Sequence, residues 1–579
     1  MQAPGPRRLT VGTPHRRQSI LLVAVVVLLV VFTGRLVIVQ GVEGPAIAQV
    51  ALEERLETVA IPGDRGDIVD AQGKVLATTV ERYDIVINQL LFQRADSSQD
   101  AALEAAGELE PFLGIPAAEL APKLMGERQF VYLKKGVTPE VHRQVMDLGV
   151  VGVTAERTTE RVYPAGTTGG NIVGFTGAEG YGQAGLEQIY DDQLTGKAGS
   201  ETFEQGGLGQ RIPTGADDVT PAVPGDDLQL TFDLDLQYMA QQALDAQVLA
   251  TGAEWGTVEV LDVATGEILA LADSGTIDPN SPTNAAPSRA AAVMYEPGST
   301  AKVIAMAAIL ETGVATPASQ FVVPYQYTVG NGQTFKDSHE HADLNLTLTG
   351  ILAESSNTGT VMVGQQVPKQ VRHDYLSKFG FGSTTGVGLP GEQSGLLAAA
   401  EDWDGRSEYA VLFGQAVSVT TLQATQVFAT LANGGVRVQP HLVKGTTDAD
   451  GVFHAVEVPQ TQVVSEQTAD TILQMLETAV ADGTGTKAAV PGYRIAGKTG
   501  TAQAFEGNGV VKNVASFIGI APADDPRLVV NVALYDPKTS IYGGDVAAPV
   551  FSEVTAHALR HLGIPPSGTQ AQLLPTTWQ

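Results

Sequence analysis

From Ile20 to Val39 the chain is an apolar run with a single charge, Arg35. In hydrocarbon every backbone N–H and C=O must be satisfied within the segment, which leaves one continuous helix as the solution for a lone apolar run. At a helical rise of about 1.5 Å per residue the run spans about 30 Å, the thickness of a bilayer core. Arg35 sits near the far end, where a long side chain can reach the headgroups. Arg7, Arg8, Arg16 and Arg17 precede the run, and no acid occurs before Ile20. That asymmetry predicts a cytoplasmic N-terminus and a single-pass anchor, with about 540 residues on the extracellular or periplasmic side. The competing reading is a cleaved signal peptide, with Ile20 to Thr33 as its apolar core and Ala46-Ile-Ala48 as the cleavage site. Continuation of the apolar run past Arg35 favours the retained anchor.

The remaining chain is too long for one hydrophobic core, so more than one domain is expected. With 43% hydrophobic and 17% charged residues it reads as globular rather than disordered. It contains no cysteine, which excludes disulfides and thiolate metal sites. Its net charge of −29 makes it a poor ligand for nucleic-acid phosphates.

The pattern divides the chain into a cytoplasmic tail (1–19), the anchor (20–39), an N-terminal domain (40–224), a C-terminal domain (225–563) and a flexible tail (564–579). Arg65 to Ala77 reads as two short strands turning at Gln72-Gly73, and Ala101 to Leu113 as a helix. The Pro-, Gly- and Asp-rich stretch 212–225 reads as a linker. Leu228 to Phe232 then reads as a strand and Asp235 to Val248 as a helix. Thr257 to Val263 and Glu267 to Ala272 flank Ala264-Thr265-Gly266 as a hairpin. Ser516 to Ile520 and Leu528 to Tyr535 are further strands, and Ala547 to Leu562 is a closing helix. The tail holds three prolines and is expected to be loosely held.

Three short motifs carry chemistry. After the helix-breaking Tyr295-Glu-Pro-Gly298, Thr300 to Leu310 is apolar and Ala-rich and predicts a buried helix with Ser299 at its N-terminus. Lys302 follows three residues later and shares a face with Ser299. A serine hydroxyl is a weak nucleophile until a base takes its proton. Lys302 can be that base only when neutral, so its pKa must be lowered by burial and by a second cation, for which Lys498 is the candidate. A solvated lysine beside an N-cap serine is the commoner meaning of Ser-x-x-Lys, but a charge inside so apolar a run needs a reason. The second motif, Ser355-Ser356-Asn357, closes an apolar helical stretch, where Asn and Gly often form a plain helix end. As a site, Ser355 would relay a proton to a leaving amine and Asn357 would bind a substrate amide. The third, Lys498-Thr499-Gly500-Thr501, has strand composition. There Gly500 would let a peptide approach closely and add to the strand edge. The N–H groups of Ser299 and Thr501 would then form an oxyanion hole.

Gly492 to Thr499 also matches a phosphate-binding loop. That loop must open a helix, whereas this segment is strand-like, so nucleotide binding is set aside. Asp337, His339, His341 and Asp343 offer metal ligands without helical spacing and read as a polar loop. Arg65-Gly-Asp67 is too short to signal adhesion.

Taken with their surroundings, these residues resemble the class B penicillin-binding proteins. The resemblance runs from the anchor to about Leu562. In the N-terminal domain it rests on Arg65-Gly-Asp-Ile-Val-Asp70, Arg161-Val-Tyr163-Pro164 and Gly185-Leu-Glu187. In the C-terminal domain it rests on Glu296-Pro-Gly-Ser-Thr-Ala-Lys302, Ser355-Ser-Asn357, Gly388-Leu-Pro-Gly-Glu392, Phe413-Gly-Gln415, Lys498-Thr-Gly-Thr501 and Gly543 to Phe551. It implies an α+β penicilloyl-serine transferase fold, an antiparallel sheet with helices on both sides. An elongated N-terminal pedestal of the dimerisation type and one transmembrane helix would complete it. It implies a serine D-Ala-D-Ala transpeptidase that cross-links peptidoglycan stem peptides, is acylated by β-lactam antibiotics, and needs no cofactor or metal.

The anchor followed by Arg35 to Gln40 looks most like the division-specific members. Their partners are a SEDS-type glycosyltransferase and other divisome membrane proteins, and strand polymerisation would come from such a partner. An elongation role, a β-lactamase and a penicillin-binding sensor are the alternatives. A class A β-lactamase needs a deacylating Glu shortly followed by Asn, and no convincing candidate lies between the second and third motifs. One departure from the family stands at Gln415-Ala416, where Gln-Gly is expected.

Overall fold

The computed structural model describes residues 5, 14–206, 211–215, 217–283, 285–505 and 511–579. The apolar run lies in a helix, Pro14–Val37, which continues through a wider π turn (Ile38–Glu43) into the helix Gly44–Glu53. This 40-residue rod is long and apolar enough to cross a membrane, and none of its apolar window is buried by the protein. Arg35 pairs with Glu43 at 3.3 Å, about two turns further along the rod.

The rest forms two compact units. One contains 82–158 and 198–222 together with the N-terminal helix; the other contains 63–81, 159–197 and 223–579. The expected single boundary at 224 is therefore several crossings, because two pieces of the N-terminal half belong to the larger unit. In the smaller unit the expected helix over 101–113 is Gln99–Leu113, capped by the Ser98 hydroxyl and closed by left-handed Gly114. The stretch read as a linker holds a strand, Asp217–Thr220, paired antiparallel with Gly199–Glu204.

In the larger unit the order of elements follows the hydrophobic pattern closely. α1 (Leu234–Thr251) starts at Asp233, whose carboxylate accepts from Leu236 N. β1 (Trp255–Asp262) and β2 (Ile268–Asp273) form the expected hairpin. After a 3₁₀ turn, Gly298–Ala301, comes α2 (Lys302–Glu311). α3 (Leu348–Ala353) and α4 (Asn357–Gly364) follow, and then α5 (Thr421–Ala432), started by a reciprocal Thr420–Gln423 capping box. β3 (Ala496–Phe505), β4 (Val511–Ala521) and β5 (Leu528–Tyr535) complete one sheet with spatial order β2-β1-β5-β4-β3, antiparallel throughout. α6 (Ala548–His561) closes the chain's last core layer. β5 and β1 are buried along nearly their whole length. One core cluster joins α1 and α6 to the sheet, and another joins α2, α3 and α5 to it, so helices cover both faces.

The tail after 564 is not loose. Thr347 N donates to Thr576 O at 3.0 Å, the Thr347 hydroxyl to Pro575 O at 2.6 Å, and Trp578 Nε1 to Phe321 O at 3.2 Å. Thr347, the N-cap of α3, and the backbone near it supply the tail's partners.

Candidate active site

Ser299 lies one turn earlier than a simple helix start would place it, in the 3₁₀ turn that feeds α2. That turn is pinned by its neighbours. Tyr295 and Val419 exchange both backbone hydrogen bonds, Glu296 N donates to Gln503 O at 3.1 Å, and Gly298 N donates to Gly414 O at 3.0 Å. Gly298 has φ 54°, and a Cβ there would sit 2.8 Å from Thr501 O. Only glycine allows both that backbone and so close an approach to β3.

Lys302 is 0% exposed at the start of an α2 whose residues through Ile309 are all buried. Its ammonium nitrogen reaches Ser299 Oγ at 3.2 Å and Ser355 Oγ at 3.3 Å, and also contacts the Ser355 carbonyl. Its pKa is pushed well below the ordinary lysine value, first by burial and then by the charge of Lys498, with the Asp337 carboxylate working the other way. Lys498 is 1% exposed, and burial lowers it to about 7. Once Lys302 is neutral it exerts no repulsion, so burial alone governs Lys498. The Lys498 ammonium donates to Thr499 O at 3.3 Å and Thr499 Oγ1 at 3.4 Å.

Ser355-Ser356-Asn357 follows the end of α3, as its Asn and Gly suggested, but it also opens the next helix. It is the junction between two. Ser356 is the N-cap of α4, accepting from Gly359 N at 2.9 Å, and Asn357 is the first residue of that helix. Ser355 takes a left-handed φ of 60°, which turns both its carbonyl and its hydroxyl towards Lys302. Asn357 Nδ2 donates to Lys336 O at 3.1 Å, leaving its side-chain oxygen for another partner.

The third motif lies on β3, the terminal strand of the sheet, with Lys498 opposite Ile518 and Gly500 opposite Ser516. A strand rather than a loop and helix confirms that Gly492 to Thr499 is no phosphate loop. Thr499 Oγ1 shares a hydrogen with Thr484 Oγ1 at 2.8 Å, while Thr501 is exposed. Gly500 requires a correction. A Cβ there would meet Ser516 Oγ at 2.3 Å and Thr300 Cγ2 at 3.0 Å. The missing side chain makes room for the sheet and the nucleophile's turn, not for a peptide from solvent.

Asp337 escaped the sequence reading, which took its loop for a polar connection. Its carboxylate accepts from Asn357 N, Thr358 N and the Ser356 hydroxyl at 2.5, 2.9 and 2.8 Å. A lone loop aspartate so far ahead of the N-cap it serves gives no sequence signal. Ala416 stands in the expected Gly position with φ 60°, its N–H held by Glu296 Oε1 at 2.9 Å. Elsewhere Asp233, Asp235 and His561 come close enough to share an ion, but Asp233 bonds His561 at 2.6 Å and Asp235 bonds Lys74 at 2.8 Å, so these charges already have partners.

Comparison with known proteins agrees with this arrangement. The penicillin-binding protein transpeptidase domain matches residues 256–556, and the penicillin-binding protein dimerisation domain matches 60–230. Penicillin-binding protein PbpB of Mycolicibacterium smegmatis is 34% identical over 591 residues, covering 95% of this chain and 90% of that protein. Peptidoglycan D,D-transpeptidase FtsI of Escherichia coli is 30% identical over 567 residues, covering 95% and 92%. The crystal structure of penicillin-binding protein 3 from Mycobacterium tuberculosis with ampicillin superposes at a TM-score of 0.71 with 31% identity, over 90% of this chain and all of that one. With both domains matched in order and the motif residues gathered around one serine, the chain belongs to the class B penicillin-binding proteins, the peptidoglycan D,D-transpeptidases.

Proposed function

We propose that this protein cross-links stem peptides during septal wall synthesis through an acyl-enzyme on Ser299. The observation that carries the reading is the single amine of Lys302 within hydrogen-bond reach of both the Ser299 and Ser355 hydroxyls. Ser299 Oγ attacks the carbonyl carbon of the penultimate D-Ala, and its proton passes to neutral Lys302. Charge building on the carbonyl oxygen is met by the N–H groups of Ser299 and Thr501. As the peptide C–N bond breaks, Ser355 hands a proton to the departing D-Ala amine and recovers one from Lys302. An amine from a neighbouring strand then attacks the ester, and Ser299 leaves with its proton restored.

Asn357 accepts from a donor-peptide amide through its side-chain oxygen. Lys498 and Thr499 hold the terminal carboxylate, whose charge favours the ammonium form of Lys498. The open edge of β3 at Thr499, Gly500 and Thr501 receives the peptide by strand addition. β-Lactams acylate Ser299 by the same first step. The Arg pairs before the apolar helix set the N-terminus in the cytoplasm and the transpeptidase domain outside. A SEDS-type glycosyltransferase and divisome membrane proteins are the matching partners.

A fluorescent penicillin is expected to label the wild type and not Ser299→Ala; labelling of the alanine variant places the nucleophile elsewhere. A fluorescent fusion is expected at the septum, and distribution along the side wall contradicts the division role.

A further inference from the structure

Behind the Ser355-Ser356-Asn357 junction lies a polar cluster for which the reaction above has no use. Asp337 follows the short strand Thr334–Lys336, and its side chain is only 8% exposed. Beyond its bonds to Ser356, Asn357 N and Thr358 N, Oδ2 is within reach of Thr358 Oγ1 at 3.2 Å and His341 Nε2 at 3.0 Å. The single Thr358 hydroxyl proton goes to Pro324 O at 2.8 Å, so the carboxylate gathers four donors, three of them from three consecutive residues at the start of α4. The other ring nitrogen of His341 lies 2.7 Å from Ala342 O. Both nitrogens face oxygen acceptors, and only the doubly protonated ring donates to both. His341 is 14% exposed in its side chain and packs edge-on against Tyr325 at 5.8 Å.

We propose that the Asp337–His341 pair is a positioning device for acyl transfer: it locks the α3–α4 junction so that Ser355 stays in its left-handed conformation against Lys302, and it sets the charge that Lys302 faces. This rests on the transpeptidase reading of Ser299 and Lys302. A serine with left-handed backbone persists only where its surroundings over-determine it. Here the residues on either side are fixed, Ala353 by α3 and Ser356 to Thr358 by Asp337. The tail segment bonded to Thr347 braces the other end of α3.

The charged groups facing the pair include Lys302 and Glu354, with Lys498 acting through Lys302, and Lys336, whose ammonium lies over the Tyr325 ring that packs on His341. Asp337 favours the protonated form of Lys302. Burial works against a charged His341, but the Ala342 carbonyl and the Asp337 carboxylate outweigh it and hold the ring above its ordinary range. While it is protonated, the His341 imidazolium tempers the anion, so Lys302 is not driven back to its useless ammonium form.

The test is the rate of acylation of the full-length protein in detergent micelles by a fluorescent penicillin, measured from mildly acidic to alkaline pH. The rate should rise as Lys302 loses its proton. Asp337→Asn is expected to slow acylation by ~10-fold or more, the scale expected when reacting groups shift by a fraction of an ångström. It should also move the rise to lower pH, because the anion favouring protonated Lys302 is gone. Asp337→Glu, which keeps the charge, should return the rise towards its wild-type pH while leaving the rate low. His341→Gln, which removes the cation, should move the rise the opposite way, to higher pH.

Wild-type rates and an unmoved rise in the Asn and Gln variants overturn the proposal. So does a loss of rate that merely tracks the unfolded fraction with the rise in place. Should Asp337→Asn fail to fold, the direction of the His341→Gln shift decides by itself. Absence of wild-type labelling at Ser299 would instead sink the transpeptidase reading, so the two failures are separable.

Discussion

Around Glu187 buried charges meet their opposites, while around Ser299 two buried lysine amines have no carboxylate between them. Glu187 is fully buried, and its two oxygens accept from Arg65 Nε at 2.6 Å and Arg161 Nε at 2.8 Å, with Asp191 taking a further Arg65 donor at 2.7 Å. The three residues come from the Arg65-Gly-Asp, Arg161-Val-Tyr and Gly185-Leu-Glu segments, far apart in the chain yet all in the larger unit. Lys302 and Lys498 are as deeply buried, but no carboxylate pairs directly with either among the described ion pairs. A buried charge without a partner is relieved by losing its proton, and that is what a base for Ser299 requires. The first cluster ties chain segments together; the second gives up stability for reactivity.

The two clusters should fail differently. Lys302→Met should lower acylation by ~10²–10⁴-fold, the usual worth of a general base. It should leave the melting temperature unchanged or higher, because a buried amine is replaced by an apolar chain of similar volume. A matching fall in melting temperature would show that Lys302 is structural. Glu187→Ala should do the reverse, costing ~3–5 kcal/mol by stranding the Arg161 guanidinium and leaving Arg65 with Asp191 alone as its carboxylate, while the protein that remains folded is acylated normally. Normal stability in that variant would break the comparison from the other side.

A smaller effect sharpens it. Glu259 lies fully buried on β1 with Thr425 on α5 as a hydrogen-bond donor, and burial raises its carboxyl to about 8. Its folded pKa stands above the ordinary carboxylate value of about 4.3. The native state therefore holds a proton that the unfolded state has lost, and stability declines as pH climbs from that value to about 8. Glu259→Gln stays neutral throughout, so its stability advantage over wild type should grow with pH, reaching ~1–3 kcal/mol at mildly alkaline pH. Equal pH slopes for both proteins would show Glu259 ionised in the fold.

The motif residues were legible because their chemistry demands rare combinations: a lysine inside an apolar helix, and a Lys-Thr-Gly in strand composition. The hairpin at Ala264-Thr265-Gly266 and the strand Leu528–Tyr535 were legible from periodicity and turn residues alone. What sequence did not disclose depends on contacts between distant segments. The role of Gly500 is set by Ser516 and Thr300, which no local pattern brings near it. The α3–α4 junction looked like a helix end because the residues that cap a start and a stop overlap in kind, and Asp337 decides between them from the loop after a distant strand. The tail read as loose because its partners, Thr347 and Phe321, lie far back along the chain. The paired Arg65, Arg161 and Glu187 showed only as three separate family fragments.

The central claim is that Lys302 is neutral where this protein works. The most direct measurement is a titration of the Lys302 side chain by NMR in full-length protein carrying ¹³C at the lysine ε position, with Lys302→Arg used to assign the signal. The account predicts a midpoint far below the ordinary lysine value of about 10.4, rising when Lys498 is replaced by glutamine. A midpoint near that ordinary value, unmoved by the Lys498 change, would contradict it.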